Sequence, residues 1–138
     1  MTPAIYLAGP VMEPEDSGSA WRDRVKTRTA VKWIDPLDKY SAEDDESLSP
    51  SQIVRLDKVA IEQSHAVLVG WKRQPSVGTP MEIMYAYMLD IPVVVWVRTD
   101  RSETTLSPWI RHHADVVSYD CEDAIHAAFE RAKTMANE

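Results

Sequence analysis

The sequence predicts an α/β protein built on one parallel sheet with helices on both faces. Short apolar segments typical of buried strands alternate along the chain with polar turns and helix-start signals, and such alternation implies a parallel sheet. The apolar run at residues 91–97 is continuous, as expected of a central strand that is covered on both faces. The length of 138 residues suits a single domain over residues 1–138.

The first two strands are expected to be short. Residues 4–8 form an apolar run that predicts the first strand, which Gly9 closes. Residues 31–34 predict the second strand, which ends at Asp35. A domain that starts on a buried strand is typical of α/β folds.

A helix over residues 20–29 is predicted between these strands, with Ser17 or Ser19 as its cap. It carries four basic residues, and a solvated basic face is the favoured interpretation for most of them. Arg22 is the exception, because it lies near the helix start, where it is expected to face a bound anion.

The most polar stretch of the chain is residues 37–48, which is rich in acids. Its length and charge predict a surface loop rather than a linker between domains. A mobile lid and a solvated loop with no role are both open interpretations.

The second helix is predicted from Ser49 to about Gln63, with a serine cap, a proline after it and a glutamine that completes a capping box. Asp57 lies within the apolar face of this helix, four residues from Ile53 and from Ile61. A carboxylate on a core-facing stripe is costly unless it is paired or lines a cavity. A pair with an arginine from elsewhere remains open, and the cavity is favoured.

The stretch 74–87 is the one around which the chain is organised. It follows the predicted third strand, residues 66–70, and its turn leads into a helix start, which is a natural seat for an anion. Thr79 is expected to be the N-cap, with Pro80 in the first helical position. Glu82 then has two interpretations, a capping-box partner or a catalytic carboxylate, and this stretch alone does not separate them.

Residues 81–89 are apolar almost all round, which predicts a helix buried on more than one side. In a small domain this indicates a subunit interface as well as a core, so a homodimer or a larger even assembly is expected. Residues 91–97 are the fourth strand. Ser107 is expected to cap a short helix that ends at His113.

A brief fifth strand is predicted at residues 116–117, and Asp120 is expected to cap the last helix, with three residues facing inward: Ile125, Ala128 and Phe129. The expected fold is therefore a flavodoxin-like doubly wound sheet of five strands in the order 2-1-3-4-5. Ligands in such folds bind outside the carboxyl ends of the strands, near the switch in strand order. This picks out the residues that follow the first four strands: residues 6–10, Asp35, residues 71–82 and Ser107.

Composition excludes several classes of function. The formal net charge of −7 argues against a nucleic-acid polymer as partner, although one helix terminus can still hold one phosphate. One cysteine, Cys121, precludes an internal disulfide, and no signal peptide or membrane span is evident, so a cytoplasmic location is expected. Adjacent His112 and His113 would face different ways, so they are not expected to bind a metal. The chain also has no glycine-rich nucleotide loop, and no cofactor is expected.

These residues together resemble the nucleoside 2-deoxyribosyltransferase family and its N-glycoside hydrolase relatives, over nearly the whole chain. The most specific part is Gly-Thr-Pro-Met-Glu at residues 78–82 with Tyr85 behind it, and Asp57 stands on the helix ahead of the third strand, as the family pattern requires. The resemblance implies that Glu82 is the nucleophile, that Asp57 handles the base or the leaving-group proton, and that Tyr6 positions the glutamate. These matches favour the catalytic interpretation of Glu82.

Two serines bear on the branch of the family. Transferases of free nucleosides carry an acid six residues before the nucleophile, and in this chain that position is Ser76. The monophosphate hydrolases also have serine there, because a carboxylate would repel the phosphate of the substrate. Ser107 likewise resembles a phosphate-contacting serine, although a turn residue and a helix cap explain the two serines equally well. After Gly9 the chain departs from the hydrolase phosphate loop, with Pro10 in place of a serine.

The resulting hypothesis is hydrolysis of the N-glycosidic bond of a (deoxy)nucleoside 5′-monophosphate, with a pyrimidine base favoured by a likeness to cytidine-monophosphate N-glycosidases. Base exchange between nucleosides and a non-catalytic nucleotide sensor are the alternatives. Trp33 and Trp71 are candidates for stacking on the base. The expected substrate-binding residues are Gly9, Arg22, Asp35, Ser76, Gly78 and Ser107.

Overall fold

The protein folds around one parallel sheet. The computed structural model describes residues 1–11, 18–39, 48–72, 76–99 and 105–138. These residues form a five-stranded sheet whose order, β2-β1-β3-β4-β5, confirms the predicted fold class and strand order. The strands are β1 (Ala4–Ala8), β2 (Lys32–Ile34), β3 (Ala66–Trp71), β4 (Val93–Val97) and β5 (Val116–Ser118).

The connections are helical, as predicted. A short 3₁₀ turn, Pro36–Lys39, follows β2 at the start of the segment expected to be a loop, and residues 40–47, where a lid was a possibility, lie outside the described residues. The helices are α1 (Ser19–Val25), α2 (Pro50–Glu62), α3 (Gly78–Met88), α4 (Pro108–His113) and α5 (Cys121–Ala136). No helix in the described ranges is long and apolar enough to cross a membrane.

The sheet separates two apolar clusters, and the alternation of β1 decides which side chains enter each. Ile5 and Leu7 pack with residues of α1 and α5 on one face. Tyr6 and Ala8 pack with residues of α2, α3 and α4 on the other. Tyr6 is therefore fully buried and directed toward the helices that follow β2 and β3.

Three helix starts are as predicted. The hydroxyl of Ser49 accepts from the backbone of Gln52 in a complete capping box, Ser107 caps α4, and Asp120 caps α5. The prediction that Phe129 of α5 faces inward is only partly met. Its side chain is half-buried, and the Arg28 guanidinium lies over its ring at 4.0 Å.

Two helix starts differ from prediction. Gly18, not a serine, precedes α1, in the left-handed region (φ 80°), where an added Cβ would lie 2.0 Å from the Pro10 carbonyl oxygen. Helix α3 begins at Gly78 and has no side-chain cap, so Thr79 is not the N-cap: it is fully buried inside the first turn. Pro80 is tolerated there because the first N–H groups of a helix have no intrahelical partner.

Candidate active site

A cleft of about 360 Å³ lies between α2 and α3, outside the carboxyl end of β1. Both helices run antiparallel to the strands. Each lines the cleft with residues spaced three or four apart, which lie on the same face of a helix. These residues are Val54, Asp57, Lys58 and Ile61 from α2, and Gly78, Met81, Glu82 and Tyr85 from α3. Tyr6, Gly9, Val11, Pro36 and Ser76 complete the described lining.

Glu82 is held by a hydrogen bond that crosses from sheet to helix. The phenol of Tyr6 donates to its carboxylate, and the two residues are 76 positions apart in the chain. The capping-box interpretation of Glu82 fails, because no side chain caps α3. Glu82 and Asp57 face the same cleft, so the two carboxylates that retaining glycosidases need are brought together.

The pKa of Glu82 is raised from 4.5 to about 7. Burial is the main cause, because it penalises the charged form, and the nearby charge of Asp57 acts in the same direction. The Tyr6 hydrogen bond and the more distant Arg22 charge oppose this by favouring the carboxylate. The group is therefore poised near neutrality, as is common for catalytic acids and bases.

This raised pKa predicts that Glu82 destabilises the folded protein above neutral pH. The folded state binds the proton more tightly than the unfolded chain, so the free energy of unfolding falls as pH rises from 4.5 through about 7. Glu82→Gln removes the charge and should gain about 2 to 3 kcal/mol relative to wild type between pH 4.5 and pH 8. Urea unfolding at the two pH values measures this difference.

Glu62→Gln is the matched control for that experiment. Glu62 also accepts a hydrogen bond from a tyrosine hydroxyl, that of Tyr85, but lies on the exposed surface outside the cleft. Its replacement should produce no comparable pH-dependent gain. An equal gain from both variants, or none from Glu82→Gln, would mean that burial does not disfavour the Glu82 carboxylate.

The part of the cleft beside the start of α3, here called the mouth, is lined by small residues. The Ser76 and Thr79 hydroxyls share a hydrogen bond of 2.8 Å, which fixes Ser76 against the first turn of α3. A Cβ added at Gly78 would meet nothing within 4 Å, so this glycine leaves open space beside the cleft. Gly9 is required for another reason, since its Cβ would lie 2.5 Å from a ring carbon of Trp21.

Arg22 and Asp35 are not placed as expected. Arg22 is fully buried and donates to the carbonyls of Pro10 (2.8 Å), Gly9 and Gly18 (3.1 Å each). Its Nε lies 3.2 Å from Asp35, which also forms an ion pair with Lys26. Both residues lie outside the described lining of the cleft, so the expected contact of Arg22 with a bound anion and the expected substrate-binding role of Asp35 stay predictions, while the two side chains hold the turn after β1.

Three further expected residues lie away from the described lining of the cleft. The exposed Ser107 accepts from the backbone N–H of Trp109 at 3.2 Å. Trp71 is buried in the core, and the indole of Trp33 donates to the Arg28 carbonyl at 3.1 Å. Within the described ranges no cluster of His, Cys, Asp or Glu is arranged to hold a metal ion.

Sequence reasoning missed several lining residues, of which Lys58 is chemically the most important. The helical repeat could have identified these lining residues. If Asp57 lines a cavity, the residues one turn before and after it lie on the same face of the helix. Val54 and Ile61 follow by this rule, and Lys58 stands next to Asp57 on the same side.

Comparisons with known proteins identify the family and the fold. The sequence model of the nucleoside 2-deoxyribosyltransferase family matches residues 5–133. The fold is similar to that of the 2-deoxyribosyltransferase of Bacillus psychrosaccharolyticus, with a TM-score of 0.74 and 18% identity over 96% of this chain and 95% of that one. No curated protein sequence matches this chain.

Two further solved structures are similar. The 2-deoxyribosyltransferase of Leishmania mexicana has a TM-score of 0.65 and 16% identity, over 93% of this chain and 97% of that one. The CMP N-glycosidase of Clostridium botulinum has a TM-score of 0.59 and 14% identity, over 90% and 95%. At these identities the likeness of the solved structures shows the fold alone.

Proposed function

The chain belongs to the nucleoside 2-deoxyribosyltransferase family, a family of enzymes, and from that premise we propose that it hydrolyses the N-glycosidic bond of a (deoxy)nucleoside 5′-monophosphate. Family and fold support deoxyribosyltransferase or N-glycosidase chemistry in general. The observation that carries the proposal is the pair of carboxylates, Glu82 and Asp57, on one cleft, with Glu82 held by Tyr6.

The proposed reaction has two steps. A Glu82 oxygen bonds to C1′ while the C1′–N bond breaks, and the departing base takes its bonding electrons and a proton held by Asp57. Asp57 then accepts a proton from water, whose oxygen attacks C1′ and displaces Glu82. The products are the free base and a (deoxy)ribose 5-phosphate, with retention at C1′.

The phosphate preference rests on Ser76. Its hydroxyl lies at the mouth of the cleft beside the first turn of α3, where backbone N–H groups favour an anion. Gly9 and Gly78 also line the cleft, and the open space at Gly78 leaves room for the sugar of a ligand. Ser107 lies outside this lining, so its contact with phosphate stays a prediction. A pyrimidine base and a cytoplasmic setting are part of the proposal.

A panel of nucleosides and their 5′-monophosphates, scored for free base by chromatography, tests the proposal. We expect base release from monophosphates, with a pyrimidine nucleotide as the best substrate, and little from nucleosides. Monophosphate binding without base release over hours would overturn catalysis and support a nucleotide sensor. A clear preference for nucleosides would overturn the phosphate assignment.

Base exchange is the second candidate, because two of the similar structures are deoxyribosyltransferases. In exchange, a second base instead of water attacks C1′ of the glycosyl-enzyme. A reaction that contains two bases separates the outcomes. A new nucleoside or nucleotide supports transfer, whereas sugar phosphate as the sole second product supports hydrolysis.

We also predict a homodimer or a larger even assembly formed through α3. Its side away from the cleft leaves large apolar residues uncovered, with Met88 71% and Tyr87 44% exposed. Light scattering at micromolar concentration should give at least twice the chain mass of 15.6 kDa. Met88→Lys should shift the protein toward a monomer, whereas a 15.6 kDa wild-type particle contradicts the prediction.

A further inference from the structure

The charges along the cleft are unfavourable for a phosphate substrate unless a cation takes part. Asp57 and Glu82 both line the cleft, and a phosphate dianion that enters it meets like charge from whichever of the two carboxyl groups is deprotonated. Arg22 does not supply the balance, because it is fully buried and bound to carbonyl oxygens and to Asp35. Among the described lining residues, Lys58 is the one positively charged side chain.

The resting position of Lys58 keeps its charge available. Its usual helical partner would be Glu62, four residues further along α2, but the Glu62 carboxylate accepts the hydroxyl of Tyr85. The Lys58 ammonium lies instead over the Tyr85 ring, 5.2 Å from its centroid. Within the described residues no carboxylate forms an ion pair with Lys58.

Lys58 lies in the C-terminal half of α2, so its side chain must extend toward the N-terminal end of the helix to approach Ser76. Because α2 connects β2 to β3 in a parallel sheet, its N-terminal end lies at the carboxyl edge of the strands, on the same edge as Ser76. Long side chains on a helix lean toward its N-terminus. A lysine also has a flexible stem, so its ammonium can leave the Tyr85 ring and move along the cleft without backbone change.

We propose that Lys58 is the cation that binds the substrate 5′-phosphate and so determines the preference for monophosphates over nucleosides. This inference rests on the proposed function. The lysine exchanges a weak contact with a half-buried ring for a charge-assisted hydrogen bond to a dianion. Ser76 then supplies a neutral hydrogen bond, and Lys58 supplies the charge.

Calorimetry in the Glu82→Gln background tests the proposal without turnover. A pyrimidine nucleoside 5′-monophosphate and the matching nucleoside are titrated into the proteins with and without Lys58→Met. Loss of one charge-assisted hydrogen bond should weaken monophosphate binding about 10- to 100-fold and leave nucleoside binding unchanged. Added salt should weaken monophosphate binding less when Lys58 is absent.

Two further variants serve as controls. Lys58→Arg keeps the charge and should keep most of the monophosphate preference. Arg55→Met removes a positive charge from an exposed position on the same helix, outside the cleft lining, and should change neither affinity.

The outcomes separate the two proposals. If Lys58→Met leaves the ratio of the two affinities unchanged, or weakens both ligands equally, Lys58 does not bind the phosphate. If the wild type still releases base from monophosphates, the proposed function stands without a phosphate-binding role for Lys58. Absence of monophosphate binding in every variant overturns both.

Discussion

Replacing Glu82 by glutamine is expected to lower kcat/KM for base release by about 10⁴-fold or more, because the amide that replaces the carboxylate is a poor nucleophile toward C1′. Glutamine keeps the size of the side chain and can still accept the Tyr6 hydrogen bond, so the fold and the cleft should persist. Chromatographic assay of free base measures the loss. Circular dichroism and urea unfolding establish that the variant is folded.

Glu62→Gln is the control for this experiment as well. It removes a carboxylate that also accepts a tyrosine hydroxyl, one turn beyond Lys58 on α2, but outside the cleft lining. Its activity should stay close to wild type. Base release by folded Glu82→Gln at a rate near that of the control would remove Glu82 from the role of nucleophile.

Replacing Ser76 by aspartate is expected to reverse the substrate preference. The change places a carboxylate near a bound phosphate, and two unit charges about 4 Å apart interact by roughly 4 kcal/mol at an effective dielectric of about 20. Screening and side-chain movement reduce this, so kcat/KM for monophosphates should fall about 10²-fold or more. Activity on nucleosides should hold or rise, because the aspartate can accept a hydrogen bond from the 5′-hydroxyl.

The quantity to measure is the ratio of kcat/KM for a monophosphate to that for its nucleoside. Ser51→Asp adds the same charge at an exposed position in the first turn of α2, outside the cleft lining, and should not change the ratio. A Ser76→Asp protein with the wild-type ratio would place the phosphate elsewhere and favour the base-exchange reaction.

Much of the fold was predictable because local signals and long-range packing agree in it. Apolar runs such as residues 93–97 bury both faces in a parallel sheet, and capped helix starts at Ser49, Ser107 and Asp120 lie where the sequence places them. The cavity beside Asp57 was also predictable, since a carboxylate on an apolar stripe needs a partner or a cavity.

The errors arose where a contact between distant segments overrides a local rule. Thr79 has the sequence of an N-cap, yet its hydroxyl bonds to Ser76 and the N-cap is Val77, two residues earlier. Arg22 lies near a helix start, yet four backbone carbonyls and Asp35 hold it. A pairing across 13 residues of sequence between Arg22 and Asp35 has no local signature, and neither does the Tyr6 contact with Glu82.

The most direct test of the central claim is the mass of the peptide that contains Glu82 after acid quench of a working enzyme. The account predicts that a fraction of this peptide gains the mass of one (deoxy)ribosyl phosphate, and that Glu82→Gln shows no such gain under the same conditions. Base release at full rate, with the added mass on another residue, would contradict the account.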